Sequence, residues 1–229
     1  MCIDFAAQVI SVDGQIAVIE SEGRRRKASM LLLPDVQPGD WVYVALDVAP
    51  DDLEDAVRGL RALGFAGANV TAPHKPAVAR IVGSELPSVN TLVGDAAYST
   101  DTAILEQVAS CHKAVIVGDG GAAAAFRQAL PEAAVFSRKT VWPPDVAGAD
   151  LVVHATSVRD DVLFELGAGQ TLVDLPYPRT ATAVAAEANG ARVLDGLEVL
   201  VAQGAKSFEL WTGVAAPVAA MRTALGLPE

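Results

Sequence analysis

The chain has 229 residues, 52% hydrophobic and 20% charged, a composition that fits one large or two modest globular domains and excludes a disordered chain. Its 17 basic and 28 acidic residues leave a net charge of −11, which argues against nucleic acid or an anionic membrane as partner. Cys2, Cys111 and three histidines form neither a disulfide framework nor a metal-ligand spacing, so no metal is expected.

Residues 1–40 read as a β-rich module. Segments 8–12, 15–20 and 24–29 have the pattern of short strands, and Asp13-Gly14 and Glu22-Gly23 between them carry the hairpin signal, because tight hairpin turns require positive φ. Pro38-Gly39-Asp40 turns the chain into a further strand over 41–46, completing a small meander or barrel. Residues 51–63 predict a helix with Leu53, Val57 and Leu60 on one face, Asp51 and Asp52 at its N-terminus and Gly64 as its stop. Asn69-Val70-Thr71-Ala72-Pro73-His74-Lys75 reads as a rigid loop after a strand, since Pro73 and Pro76 disfavour helix. It sets an ammonium beside a hydroxyl and an amide, which suits a polar, hydroxylated small substrate. No start resembling a signal peptide and no apolar run of about 18 residues is present, so a cytoplasmic protein without a membrane partner is expected.

From Trp41 onward the chain alternates β and α. Strands are expected at 115–117, 134–136, 151–153 and 171–173, and helices at 122–130, 197–211 and 217–225, the rhythm of a mostly parallel sheet covered by helices. Gly118-x-Gly120-x-x-Ala123 lies between the first of these strands and its helix. Glycines there, with Gly121 and Ala122 beside them, let the backbone approach a pyrophosphate at the amides of a helix N-terminus. Phe136 ends the next strand, and Ser137-Arg138-Lys139-Thr140 follows where an NAD site places a carboxylate. A serine and two cations instead suit the 2′-phosphate of NADP. Asp119 is discordant, because a carboxylate near a pyrophosphate repels it unless it points away.

Further motifs are Ser88-Val89-Asn90-Thr91-Leu92-Val93, Ser99-Thr100-Asp101, His154-Ala155-Thr156-Ser157, Asp174-Leu175-Pro176-Tyr177 and Asp195-Gly196-Leu197-Glu198-Val199-Leu200-Val201-Ala202-Gln203. In this order, with the motifs above, residues 41–229 resemble the shikimate dehydrogenase family. The resemblance implies an NADP-dependent oxidoreductase that interconverts 3-dehydroshikimate and shikimate in aromatic amino-acid biosynthesis. It implies Lys75 and Asp101 as the catalytic dyad, Thr71, Asn90 and Gln203 on the substrate hydroxyls, Tyr177 near the nicotinamide side of the cleft, and Thr156 in the cofactor site. It also implies a substrate-binding α/β domain over 41–103, completed by helices within 204–229, and a Rossmann-type domain over 104–203. The chemistry agrees, since hydride reduction of a ketone requires a proton at the developing alkoxide.

Residues 1–45 resemble the small hydrogenase-maturation chaperone family through Met1-Cys2-Ile3, Asp13-Gly14, Gly23-x-Arg25 and Pro38-Gly39-Asp40-Trp41-Val42. In that family the second-position cysteine carries the metal-centre assembly function. An expected proline is missing near Ala6-Ala7 and an expected histidine is replaced around Ala45, so the barrel shape is expected here and the chaperone activity is not. The dehydrogenase family's opening strand, Ser-x-Ser-Pro loop and helix are absent before Trp41, and with them the two hydroxyls that hold the substrate carboxylate. Val158-Arg159-Asp160 also replaces an expected glycine and its neighbour. Arg24, Arg25 and Arg26 are expected at a solvated strand edge. Two other readings stay open: a non-catalytic scaffold or binding protein related to hydrogenase maturation, and an NADP oxidoreductase for a related polyol. An oligomer is compatible with all three.

Overall fold

The computed structural model describes residues 2–21, 23–29, 35–62, 65, 67–108 and 111–228, without the side chains of 2–6, 43–45 and 61. The turn residue Glu22 and the helix stop Gly64 lie outside the described residues. The chain divides into two compact units, Met1–Tyr98 and Ser99–Glu229.

The first unit contains β1 (Cys2–Asp13), β2 (Ile16–Ser21), β3 (Arg24–Ser29), β4 (Trp41–Asp47), α1 (Leu53–Ala62), β5 (Gly67–Val70), α2 (Lys75–Ile81), β6 (Thr91–Val93) and β7 (Ala96–Tyr98). The expected meander is present, and Asp13 pairs with Ile16 across a turn in which Gly14 takes φ 58. The meander is continuous with the α/β part, however. One edge of β1 pairs with β4 from Cys2 to Gln8. Its other edge pairs first with β5, at Ile3 and Asp4, and then with β2, from Gln8 to Asp13. A bulge between Val9 and Ser11 bends β1 where it joins β2. All three pairings are antiparallel. Strands β4 and β5 therefore run parallel to each other, with β1 reversed between them. Among the described residues one core serves both parts of the unit: Ala7, Val9, Ala17, Ile19 and Val42 cluster with Leu53, Val57, Leu60, Val70, Val78 and Leu92.

The arginines of β3 bind neighbouring groups. Arg24 donates to the Ala62 carbonyl, Arg25 pairs with Glu20 at 2.9 Å, and the Arg26 guanidinium lies 4.2 Å from the Phe65 ring centre. The loop expected through Lys75 ends earlier, because Lys75 opens α2 with Pro76 in its first turn. Proline is tolerated there because the first helical N–H groups have no intrahelical acceptor. The rule that prolines break helices misread this boundary.

The second unit contains β8 (Ala114–Val117), α3 (Gly121–Ala129), β9 (Ala134–Phe136), β10 (Leu151–His154), β11 (Thr171–Asp174), α4 (Ala181–Ala188), β12 (Arg192–Leu194), α5 (Gly196–Thr212) and α6 (Val218–Ala224). Its sheet is wholly parallel in the order β12-β11-β10-β8-β9. Alternate residues feed two cores. Val115, Val117, Val152 and Leu172 pack with Ala183 and Ala186 of α4, while Ile116, Leu151, Val153 and Val173 pack with Phe126 of α3 and Val199 of α5. Burial on both faces explains the unbroken apolar runs of these strands. The strand order reverses between β8 and β10, and such a switch point opens a crevice at the C-terminal ends of the strands.

Candidate functional site

A pocket of about 330 Å³ occupies that crevice. It is built from three loops: Gly118, Asp119 and Gly120 after β8, the segment from Ser137 to Trp142 after β9, and Ala155 to Val158 after β10. Gly118 takes φ 134, and a Cβ there would meet the Ala155 carbonyl oxygen at 2.5 Å, so the β8 and β10 loops can approach this closely only with glycine. Gly120 caps α3 without any side-chain hydrogen bond, which leaves the first-turn amides of the helix to a ligand.

The loop after β9 holds its shape through Ser137. Its hydroxyl lies 3.1 Å from the Thr140 hydroxyl and accepts from the Lys139 N–H at 3.3 Å. Arg138 and Lys139 are exposed, and the Arg138 guanidinium sits 5.4 Å from the Trp142 ring centre. The discordant Asp119 is paired with Lys139, Oδ2 to Nζ at 3.0 Å. Of the expected cofactor residues, Gly118, Gly120, Ser137, Arg138, Lys139 and Thr156 line the pocket, Gly121 and Ala122 lie in the first turn of α3, and Thr140 braces Ser137.

Behind the pocket lies a buried polar chain that sequence reasoning missed. His154 Nδ1 is 2.6 Å from Asp174 Oδ1, and His154 Nε2 is 2.7 Å from the Thr156 hydroxyl. Thr180 donates to the other Asp174 oxygen from its hydroxyl at 3.0 Å and its N–H at 3.3 Å. The sequence showed only that His154 and Asp174 each end an apolar strand core; their facing each other in register is a product of the sheet.

In the first unit, Thr71, Lys75 and Asn90 gather at the C-terminal end of β5. The Val70 N–H donates to the Asn90 carbonyl at 2.8 Å, and the Val89 N–H donates to the Lys75 carbonyl at 3.2 Å. Asn69 Nδ2 donates to the same Asn90 carbonyl and to the Thr91 hydroxyl, and that hydroxyl donates to Asn90 Oδ1. Asn90 is 4% exposed, so its amide is set by this network, and Lys75 is half-buried beside it. His74, next to Lys75, is also buried and bonds the Val48 carbonyl at 3.0 Å, which fastens the start of α2 to the segment after β4.

Asp101, Gln203 and Tyr177 belong to the second unit. Asp101 is buried in the turn before Ile104. The adjacent Thr100 hydroxyl lies 3.3 Å from that of Ser207, one turn along α5 from Gln203, so these two expected residues sit on elements stitched together. Tyr177 is exposed in the loop after β11. Arg179 ties that loop to α4 through two bonds to Glu187, at 2.9 and 3.0 Å, and to the α5 cap Asp195 at 3.4 Å. The Glu187 carboxylate holds the guanidinium above its ordinary pKa.

Comparison with known proteins gives a consistent picture. Family models match at three places: the shikimate dehydrogenase substrate binding domain at residues 36–92, the shikimate 5′-dehydrogenase C-terminal domain at 196–225, and the HupF/HypC family at 1–57. The NADP(+) shikimate dehydrogenase of Anaeromyxobacter sp. (strain K) is 37% identical over 237 residues, covering 81% of this chain and 85% of the relative. That of Halobacterium salinarum is 36% identical, with 81% and 88% covered. The Thermus thermophilus shikimate 5-dehydrogenase solved with NADP(H) and shikimate superposes with a TM-score of 0.62 at 26% identity, over 78% of this chain and 84% of that one. These matches favour the enzyme over the scaffold and polyol readings.

Proposed function

The chain belongs to the shikimate dehydrogenase family, and on that premise we propose that it is an NADP-dependent oxidoreductase interconverting 3-dehydroshikimate and shikimate in the cytoplasm. The observation that carries the cofactor reading is the loop after β9: Ser137, Arg138 and Lys139 stand where an NAD site requires a carboxylate. The residues fit a dinucleotide. Gly118, Gly120 and the first turn of α3 would take the pyrophosphate, and Ser137 with the two cations would take the 2′-phosphate.

When bound, the dinucleotide supplies the hydride. Lys75 and Asp101 deliver the proton that the developing alkoxide needs, one as ammonium and the other as the carboxylate that orients it. Thr71, Asn90 and Gln203 take the ring hydroxyls, with Asn90 pre-set by its bonded network, and Tyr177 flanks the nicotinamide side. In this reading the substrate-binding part is 41–103, to which the helices within 204–229 are assigned, and the dinucleotide-binding part is 104–203.

The substrate carboxylate is the weak point. A first strand parallel to β4 and β5 would end at the edge where Thr71 and Lys75 lie, and its following loop would offer hydroxyls there. Because β1 is antiparallel to both, its following turn at Gly14 opens at the far end of a strand about 40 Å long. Two charge-assisted hydrogen bonds are lost, each worth roughly 1.5–3 kcal/mol, so shikimate binds about 100-fold more weakly or worse. A steady-state assay with shikimate and NADP⁺, read by the absorbance of reduced nicotinamide, tests this. The expected result is slow turnover with a high KM. No turnover at saturating shikimate together with intact NADPH binding would reject the substrate. A micromolar KM would mean that the N-terminal strands supply a carboxylate site, with Arg24, Arg25 and Arg26 the first candidates.

A further inference from the structure

His154 and Asp174 are each 0% exposed and have no part in the proton transfer assigned to Lys75 and Asp101. Their hydrogen bonds fit a chain in which each donor meets one acceptor. An ionised Asp174 is an acceptor only, and at 2.6 Å a bare Nδ1 lone pair would face its oxygen, so Nδ1 carries the proton. With Nδ1 as the donor, Nε2 is left as the acceptor and receives the hydrogen bond of the Thr156 hydroxyl at 2.7 Å. The Thr156 oxygen in turn accepts the Val158 N–H at 3.2 Å. From Val158 through Thr156 and His154, and from Thr180 on the other side, every donor points towards Asp174. Chains of this kind reinforce one another in a water-excluded interior. Phe164 closes the site edge-on to the imidazole, with ring centres 6.0 Å apart.

The outer end of this chain, Thr156 to Val158, forms one wall of the pocket and leads into the stretch Val158-Arg159-Asp160 that stands in place of an expected glycine and its neighbour. We infer that His154 is a positioning residue for the cofactor: held in its Nδ1–H tautomer by Asp174, it fixes the Thr156 hydroxyl and through it the Thr156–Val158 turn against the dinucleotide. This rests on the dinucleotide-binding reading of the pocket.

Two measurements on the full chain test it. Nitrogen NMR of the His154 ring without ligand, assigned with His154→Gln, should show a protonated Nδ1 and a bare Nε2 at neutral pH. The opposite tautomer or an imidazolium overturns the proposal. Calorimetry with NADPH and with NADH then compares the wild type with His154→Phe, Thr156→Val and the double variant. Each single change should weaken binding about tenfold, the loss of one buried hydrogen bond, and the double variant should be no worse than either. Thr156→Ser, which keeps the hydroxyl, should bind as the wild type does. Unchanged single variants, or a double variant weakened by the product of the two effects, overturn the inference even if His154→Phe folds poorly, because the threonine pair and the ring nitrogens still report. A wild type that binds neither dinucleotide defeats the cofactor reading and this role together. A wild type that binds while its variants misbehave defeats this role alone.

Discussion

The two units solve the same problem with different sheets. In the second, five strands run one way, so the loops after β8, β9 and β10 meet at one edge and form the pocket. In the first, β4 and β5 also run one way and present Thr71 and Lys75 after β5, but the strand between them is reversed and belongs to the segment that matches a different family. A sheet accepts a neighbour of either direction, because hydrogen bonding and apolar burial are satisfied in both. A site does not, because direction decides which end of the strand carries the loop. The reversed β1 therefore satisfies the sheet while carrying its following turn away from the end where Thr71 and Lys75 lie.

Deleting residues 1–40 breaks the comparison most severely. Without β1, the neighbouring edges of β4 and β5 lose their partner and the core loses Ala7, Val9, Ala17 and Ile19. The expected outcome is loss of the cooperative unfolding transition of the first unit, followed by circular dichroism. A folded truncation would show that the meander is an appendage. Within the assigned chemistry, Lys75→Ala and Asp101→Ala should each cut kcat about 100-fold or more and leave the NADPH Kd nearly unchanged, and the double variant should be little worse. Multiplying losses would mean that the two residues do not act as a pair.

On the pocket side, Arg138→Ala should cost NADPH about 1–3 kcal/mol and NADH little, measured by calorimetry. Equal affinity of the unmodified chain for both cofactors would contradict the 2′-phosphate reading. Asp119→Ala should tighten NADPH about threefold, the scale of an exposed ion pair, by releasing Lys139 and removing a repulsive charge. Weaker binding would instead give Asp119 the task of holding Lys139 in place. The smallest effect concerns Asp150, whose carboxyl is held below the ordinary range by the N–H groups of His112 and Lys113 at the entry to β8. With a folded pKa below the unfolded one, its stabilisation is present above the ordinary carboxylate range and is lost as pH falls through the folded pKa. Asp150→Asn should flatten that acid loss in thermal melts and change little at neutral pH.

The sequence by itself determined the parts whose signal is local. Apolar runs bounded by turn residues located β8, β9, β10 and β11, Asp13-Gly14 located a hairpin, and Gly118 with Ser137-Arg138-Lys139 marked residues that line one pocket, because backbone permissiveness and charge are properties of the residues themselves. Lys75 was misread as the end of a loop, since a proline at position 76 stops a helix from inside but begins one from its first turn, and only the surrounding packing distinguishes the two. Tertiary structure alone decided that β1 runs from Cys2, that it lies reversed between β4 and β5, that Asp119 meets Lys139, and that His154 meets Asp174. Each of these is a pairing between segments distant in sequence. Alternation shows which residues a strand buries but says nothing of which neighbour it takes or in which direction, and a charged or imidazole side chain carries no mark of its partner until the fold brings the two together.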